Sequence, residues 1–464
     1  MNDNVEARLS ASTWQKGNSG QLGIFDRTAD PTIAHIGVGA FARAHLGVYA
    51  DDLLRLGYPA LIRGVSIKSN RAADQLVPQD GLYTVSEREP DAERTIRLIG
   101  ALPRMETGID AAVAAAAAST TKFITLTISE KGYDVDLHDR NDPRHPVSAP
   151  GVIALALECR RQSGTEVPVV MSMDNVLDNG KRLQQSVLEL AELLDSALPA
   201  WIVNEVRFPN SVVDRLVPAT TTVDLEAVRA QLGLMDLAAV VSERHRSWVI
   251  ESVDGLPPLA EVGVEVVGSV TPYEERKLWL LNGPHSALAY CGLLAHCSTI
   301  AAAVADTRIL DFVQGYVDEV LAVADLPPRV KPTAFAREAL ERFGNPLLGH
   351  TCVQVGTDGS HKLPHRLLTI MTRRQQRGLD ITRFATVIAL WLAAVTGLRV
   401  QGEVLARVDD PASERLCAAA ASGDLLKLSH AALSEQWSPL IVTEVAARLA
   451  ALVQRGISLI EDTP

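Results

Sequence analysis

The 464-residue chain predicts an α/β N-terminal Rossmann-type domain, its parallel sheet doubly wound and with extra strands, followed by a mainly α-helical C-terminal domain. Three observations carry this expectation. The β-type run "TIAHIG" passes through glycines into the helical pattern "VGAFARAHLGVYADDLLRLG". Strand-like and helical segments then alternate as far as Val206. From Pro284 onward the pattern is almost wholly helical.

Taken in order, the first strand opens at about Thr32 and its glycine joint leads into the first helix. "ALIRGVSI" reads as a second strand, a segment ending "GLYTV" follows, and Ile109 to about Ala118 reads as an alanine-rich helix before the strand "FITLTI". "VPVVMSM" and "AWIVNEV" read as two more strands separated by a helix from Asn179 to about Leu198. Beyond Val240, "WVIES" and "VGVEVVGSV" are expected to be extra strands of the same domain. "HSALAYCGLLAH", "RILDFVQGYVDEVLAVA", "ITRFATVIALWLAAVTGL" and "PLIVTEVAARLAALVQ" place apolar residues at three- and four-residue spacing, the mark of core-facing helices. The expected division is a dinucleotide-binding domain over 1–276 and a substrate domain over 277–464, without a flexible linker, which implies a shared cleft.

Composition narrows the partners. A formal charge of −12 with no basic run argues against nucleic acid, because phosphate binding needs a concentrated positive surface. The opening "MNDNVEARLSAS" has no signal pattern, and the apolar stretches fall short of the roughly 20 residues that span a bilayer, so a cytoplasmic protein without a membrane partner is expected. Cys159, Cys291, Cys297, Cys352 and Cys417 are scattered without a Cys-x-x-Cys pair, so reduced packing residues are expected, and no metal. Monomer and homodimer are both compatible with the helical pattern.

In "HIGVGAFARAH" the first glycine, Gly37, permits a tight turn and the second, Gly39, lets backbone approach a pyrophosphate; Ala42 takes the third, packing position. Gly37, Val38, Gly39, Ala40 and Phe41 are therefore expected at the cofactor, where a helix N-terminus offers N–H groups to phosphates. Ser66, at the end of the second strand, completes the set. An acidic residue there would hold the ribose of NAD, yet none occurs between Asp52 and Asp74, and the candidates are Ser66, Lys68, Ser69, Asn70 and Arg71. NAD is the expected cofactor, with NADP possible.

The segment "YEERKLWLLNGPHSALAY" gathers Lys277, Asn282 and His285 around a Gly-Pro break, and each is costly to bury without a task. Gly283-Pro284 reads as a helix start, with Asn282 just before it, His285 in its first turn and Lys277 one or two turns upstream. Taken singly, these are equally a capping Asn, a satisfied His and a surface Lys.

Together, "HIGVGAFARAH", "TISEKGY", "MSMDNVLDNG", "FPNSVVDRLVPATT", "YEERKLWLLNGPHSALAY" and "DGSHKLPHRLL" resemble, in order, the polyol-specific long-chain dehydrogenases of the mannitol dehydrogenase family, on the mannitol 2-dehydrogenase and fructuronate reductase branch. The resemblance implies zinc-independent hydride transfer between a nicotinamide and a sugar alcohol or ketose, D-mannitol/D-fructose or D-mannonate/D-fructuronate for example. It implies Lys277 as general acid/base, Asn282 and His285 holding the reacting oxygen and its neighbours, and Asn175 as a second amide near the reacting carbon. Asp214 and Lys362 match substrate-side positions, and Arg215 is as readily structural. Pro284 stands where many members have Ser, and Leu216 where Ile or Val is usual, which questions fine fit rather than chemistry.

The chemistry asks for such groups. A lysine at its reference pKa of about 10.4 is a poor base at neutral pH, while burial and a second cation such as Lys362 lower it. Glu130 and Glu274 are candidates for a proton relay or for ordinary helix and strand-end carboxylates. The alternatives are a dehydrogenase of the 6-phosphogluconate or 3-hydroxyisobutyrate type, which would not supply the "FPNSVVDR" and "DGSHKLP" blocks, and a non-catalytic NAD(P)-sensing protein on the same fold.

Overall fold

A computed structural model describes residues 7–17, 25–90, 94–433 and 436–463. The chain forms two compact units, Met1–Thr271 and Pro272–Pro464. The boundary expected at 276/277 falls inside the helix Thr271–Lys277.

The first unit is built on a five-stranded sheet in the order Arg104–Thr107, Ile62–Ser66, Ile33–Ile36, Phe123–Leu126, Val169–Ser172, every neighbour pairing parallel. Ile33–Ile36, Phe123–Leu126 and Val169–Ser172 are buried at every position, as parallel strands covered on both faces must be. One face packs on the helix Leu46–Arg55 through Leu46, Leu53 and Leu54. The other carries Ile109–Ala117, Ala149–Ser163 and Asn179–Leu194, which contribute Ala112, Val152, Leu157, Leu183 and Val187 to a second core. The helix Ala149–Ser163 shows why the chain folds so locally: Ser148 accepts from Gly151 N–H, Pro150 occupies the first turn, and Gly164 ends it in the left-handed region. This is the doubly wound architecture the sequence predicts.

One expected strand is a helix. "AWIVNEV" lies mostly within the helix Leu198–Glu205, with Pro199 in its first turn and Leu198 and Ile202 buried four residues apart. A short apolar run suits either structure, and here helical spacing wins. The next strand, Ser211–Asp214, leaves the parallel sheet to pair antiparallel with Ser247–Glu251, itself parallel to Glu265–Val267; these are the extra strands expected beyond Val240. "GLYTV" enters a third sheet, Tyr83–Glu87 between Thr95–Ile99 and Val240–Ser242.

The second unit is helical apart from a small hairpin of Arg399–Val400 with Glu403–Val404. Thr382–Thr396 is buried from Arg383 to its end and packs against Gly283–Leu294 and Pro439–Arg455. Two of its buried cations, Arg383 and Arg374, share Glu319 at 2.9 and 3.1 Å. Among the described residues no helix is long and apolar enough to cross a membrane.

Candidate active site

The glycine turn follows the strand Ile33–Ile36, where the strand order reverses between Ile62–Ser66 on one side and Phe123–Leu126 on the other. Ligands of such sheets bind at this point, beyond the C-terminal strand ends. Gly37 N–H donates to Val65 O at 2.9 Å, and its φ of +94° is one that only glycine adopts cheaply. A Cβ here would stand 2.1 Å from Thr127 O, so the neighbouring strand end leaves no room for one. At Gly39 a Cβ would meet nothing within 4 Å. That space belongs to a cavity of about 670 Å³ lined by Gly37, Val38, Gly39, Ala40 and Ser66, together with Thr127, Ile128 and Ser129 from the end of the next strand. A glycine cradle of this size, opening at a helix start, fits a dinucleotide's pyrophosphate.

Phe41 does not line the cavity; its ring stacks on His45 at 5.0 Å and packs against the core. Beyond Ser66 the wall is made by Lys68, Ser69 and Arg71, Arg43 also lines the cavity, and among the described residues no carboxylate takes part in the lining. The far wall is fastened by Asp174, whose carboxylate accepts from Ile128 N–H at 2.9 Å, Ser129 N–H at 3.1 Å and Tyr133 O–H at 3.0 Å. Asn175 follows it directly and is exposed just beyond the strand Val169–Ser172.

Asp214 ends its strand and is buried, with His245 Nε2 3.7 Å from Oδ2. Arg215 is structural: it donates to Ala44 O, Glu243 O and, at 2.6 Å, Glu87 Oε1, tying the helix after the glycine turn to two sheets. Glu130 is exposed and paired with Arg182 at 3.4 Å.

In the second unit the expected helix start at Gly283 is not one. Thr271–Lys277 runs into a π-helical turn, Leu278–Asn282, and straight on into Gly283–Leu294. Pro284 has no N–H to give the turn before it, and the chain widens instead, Gly283 N–H reaching back five residues to Leu278 O. In an unbroken α-helix Asn282 and His285 would point about 140° and 80° away from Lys277. One extra residue in the turn sets the chain back by about 100°, leaving them about 40° and −20° away. The wide turn therefore places the three on one face.

Lys277 is 8% exposed and Glu274, one turn earlier, 9%. His285 stacks on Phe343 with centroids 4.4 Å apart, and its Nε2 is buried without a hydrogen-bond partner. Burial first, then the charges of Arg366, His350, Lys362 and Arg342, hold its pKa well below the usual imidazole value, so it is neutral at pH 7. Gly283 is needed for packing, since a Cβ would lie 2.4 Å from Tyr316 Oη. Lys362 donates to Thr357 O at 2.7 Å; burial and Arg366 lower its pKa.

Arg366 is the residue sequence reading missed. It sits one turn after Lys362 on the helix Gly359–Gln376 and donates to Asn282 O at 3.1 Å and Ser286 Oγ at 2.6 Å. The available signal was its four-residue spacing from Lys362 in "KLPHR". Among the described residues, no group of three or more His, Cys, Asp or Glu is arranged to hold a metal.

Comparison with known proteins gives two family matches: residues 31–260 to the mannitol dehydrogenase Rossmann domain and residues 269–453 to the mannitol dehydrogenase C-terminal domain. The chain is 35% identical to D-mannonate oxidoreductase of Escherichia coli K12, over 82% of this chain and 83% of that protein. It is 34% identical to mannitol 2-dehydrogenase of Cereibacter sphaeroides, over 83% and 85% of the two chains. The structure of Pseudomonas fluorescens mannitol 2-dehydrogenase, a ternary complex with NAD and D-mannitol, is similar with a TM-score of 0.87 at 30% identity, covering 98% of each chain.

Proposed function

The chain belongs to the mannitol dehydrogenase family, and we propose that it moves hydride, without a metal, between a nicotinamide cofactor and a sugar alcohol/ketose or hexonate/hexuronate pair. It is an oxidoreductase acting on CH–OH. The observation that carries the finer reading is the π-helical turn that brings Lys277, Asn282 and His285 to one face, with a buried His285 nitrogen left for a ligand.

A nicotinamide, when bound, supplies the hydride acceptor or donor. In oxidation Lys277 Nζ takes the proton of the reacting hydroxyl, and the same amine returns it to the ketone in reduction. The Asn282 amide donates to the oxygen as charge gathers there. Neutral His285 directs Nε2 at a neighbouring hydroxyl rather than moving protons. Asn175 and Asp214 are the proposed substrate contacts of the first unit, and Lys362 adds a positive charge beside His285. The test is a panel of mannitol, arabinitol, mannonate, fructose, fructuronate and tagaturonate, followed by nicotinamide absorbance; no turnover with any of them would refute the reading.

Two outcomes follow. The kcat/KM for oxidation is expected to rise with pH as Lys277 loses its proton, and that for reduction to fall. Because His285 is already neutral, His285→Asn is expected to lower kcat/KM while leaving the midpoint of both profiles in place. A moved midpoint would transfer the proton role to the imidazole.

The cavity wall beyond Ser66 bears Lys68 and Arg71 and, among the described residues, no carboxylate to repel a 2′-phosphate. NAD remains the expected cofactor, and NADP is expected to bind within about tenfold of it. The double change Lys68→Glu with Arg71→Glu is expected to weaken NADPH by about 100-fold more than NADH, a loss of charge-assisted hydrogen bonds worth about 1.5–3 kcal/mol. Fluorescence titration of the two reduced cofactors reads it, and equal losses would count against the assignment.

A further inference from the structure

Among the described residues, none supplies Arg366 with a carboxylate partner. Its hydrogen bonds go to two neutral oxygens, Asn282 O and Ser286 Oγ, and the groups that act on it most strongly are the hydroxyls of Tyr290 and Tyr316. Arg374 and Arg383 are matched by Glu319 and Arg215 by Glu87, while buried Arg160 gives its guanidinium to four backbone carbonyls; Arg366 has two neutral oxygens, both on one nitrogen. Lys362 also has Asp358 Oδ2 at 4.0 Å and feels Asp410. An interior guanidinium facing only neutral groups is costly to keep unless something anionic joins it.

The surroundings point the same way. Burial lowers the Arg366 pKa only to about 10, so it stays charged at pH 7. Its residue is half-buried rather than sealed, leaving N–H groups for a ligand. Arg366, Lys362 and Arg342 all disfavour a proton on His285, so the space around that ring is positive. Tyr316 Oη is buried there with no hydrogen-bond partner and stands ready to donate.

We propose that Arg366 receives the carboxylate of the substrate, and that the preferred substrate is therefore a hexonate oxidised to a hexuronate of the keto type rather than a neutral hexitol. The inference rests on the function proposed above. In the reaction a secondary alcohol loses a hydride to the nicotinamide and a proton to Lys277, forming the ketone; the carboxylate is unchanged and serves only to be gripped. A guanidinium fork matches a carboxylate in geometry and charge, whereas a hexitol would cover the charge without pairing it.

The experiment compares kcat/KM for D-mannonate and D-mannitol in the purified full chain with NAD. The wild type is expected to favour mannonate by at least about 100-fold. Arg366→Gln is expected to collapse that ratio by about 100-fold, chiefly through KM for mannonate, and Arg366→Lys to restore part of it. An Arg366→Gln variant that loses both substrates in equal proportion would make Arg366 a brace for Asn282 and overturn the proposal. A second measurement needs no variant: raising ionic strength should raise KM for mannonate and not for mannitol. A wild type that prefers mannitol overturns this inference and leaves the proposed function standing; one that turns over neither, nor any other polyol or ketose of the panel, sinks the proposed function itself.

Discussion

Lys277→Ala is expected to lower kcat by about 1,000-fold in both directions, within the range of 10²–10⁴ for a positioned acid or base. The helix should survive, because alanine is the better helix former. Cofactor affinity should be unchanged, since the glycine cavity lies wholly in the first unit. The pH dependence of the residual activity should flatten as well, and added primary amines should restore a fraction of the rate. Steady-state kinetics beside a thermal melt and a cofactor titration decide the matter. A folded variant within tenfold of wild type would remove Lys277 from the chemistry.

The second large effect separates two glycines that look alike in the sequence. Gly37→Ala is expected to destabilise the protein by about 3 kcal/mol or more, because the residue must hold a positive φ while its Cβ strikes the backbone oxygen of Thr127. That corresponds to a Tm lower by roughly 6–12 °C for a unit of this size. Gly39→Val should behave in the opposite manner. Gly39 has an extended backbone (φ −90°, ψ −175°) and open space where a side chain would go. The melt is expected to be near wild type while NAD affinity falls by about 100-fold or more. If Gly39→Val bound NAD normally, the cavity would not be the pyrophosphate site.

Much of this was legible in the chain itself. The glycine turn, the alternating rhythm and the helical second half are local signals, and a G-x-G-x-x-A match between a strand and a helix has few other uses. What stayed hidden required the third dimension. "AWIVNEV" is too short for its period to be read, and only the packing of Leu198 and Ile202 settles it as helix. Gly283-Pro284 carries the chemistry of a helix start, and nothing local tells that the chain before it is already helical. Phe41 sits inside the fingerprint yet turns to His45, because fingerprint spacing constrains backbone rather than every side chain. Arg366 reads as a solvated charge on an amphipathic helix until its neutral surroundings are seen. Lys277, Asn282 and His285 stand out by their setting around the Gly-Pro break, Asn175, Asp214 and Lys362 by resemblance alone, and the geometry adds a reason only for the first three.

That reason has a consequence for how this segment tolerates change. Substitutions at Leu278, Trp279, Leu280 or Leu281 alter packing but leave the count of residues between the amine and the imidazole intact. Loss of any one of them would let the backbone relax into an uninterrupted ladder, with the amide and the imidazole then four and seven residues past the amine and so still about 40° and −20° away from it. At this place the wide turn absorbs one surplus residue, so shortening by a single codon should keep the three groups on one face, whereas lengthening by one should carry the amide and the imidazole round by more than a quarter turn.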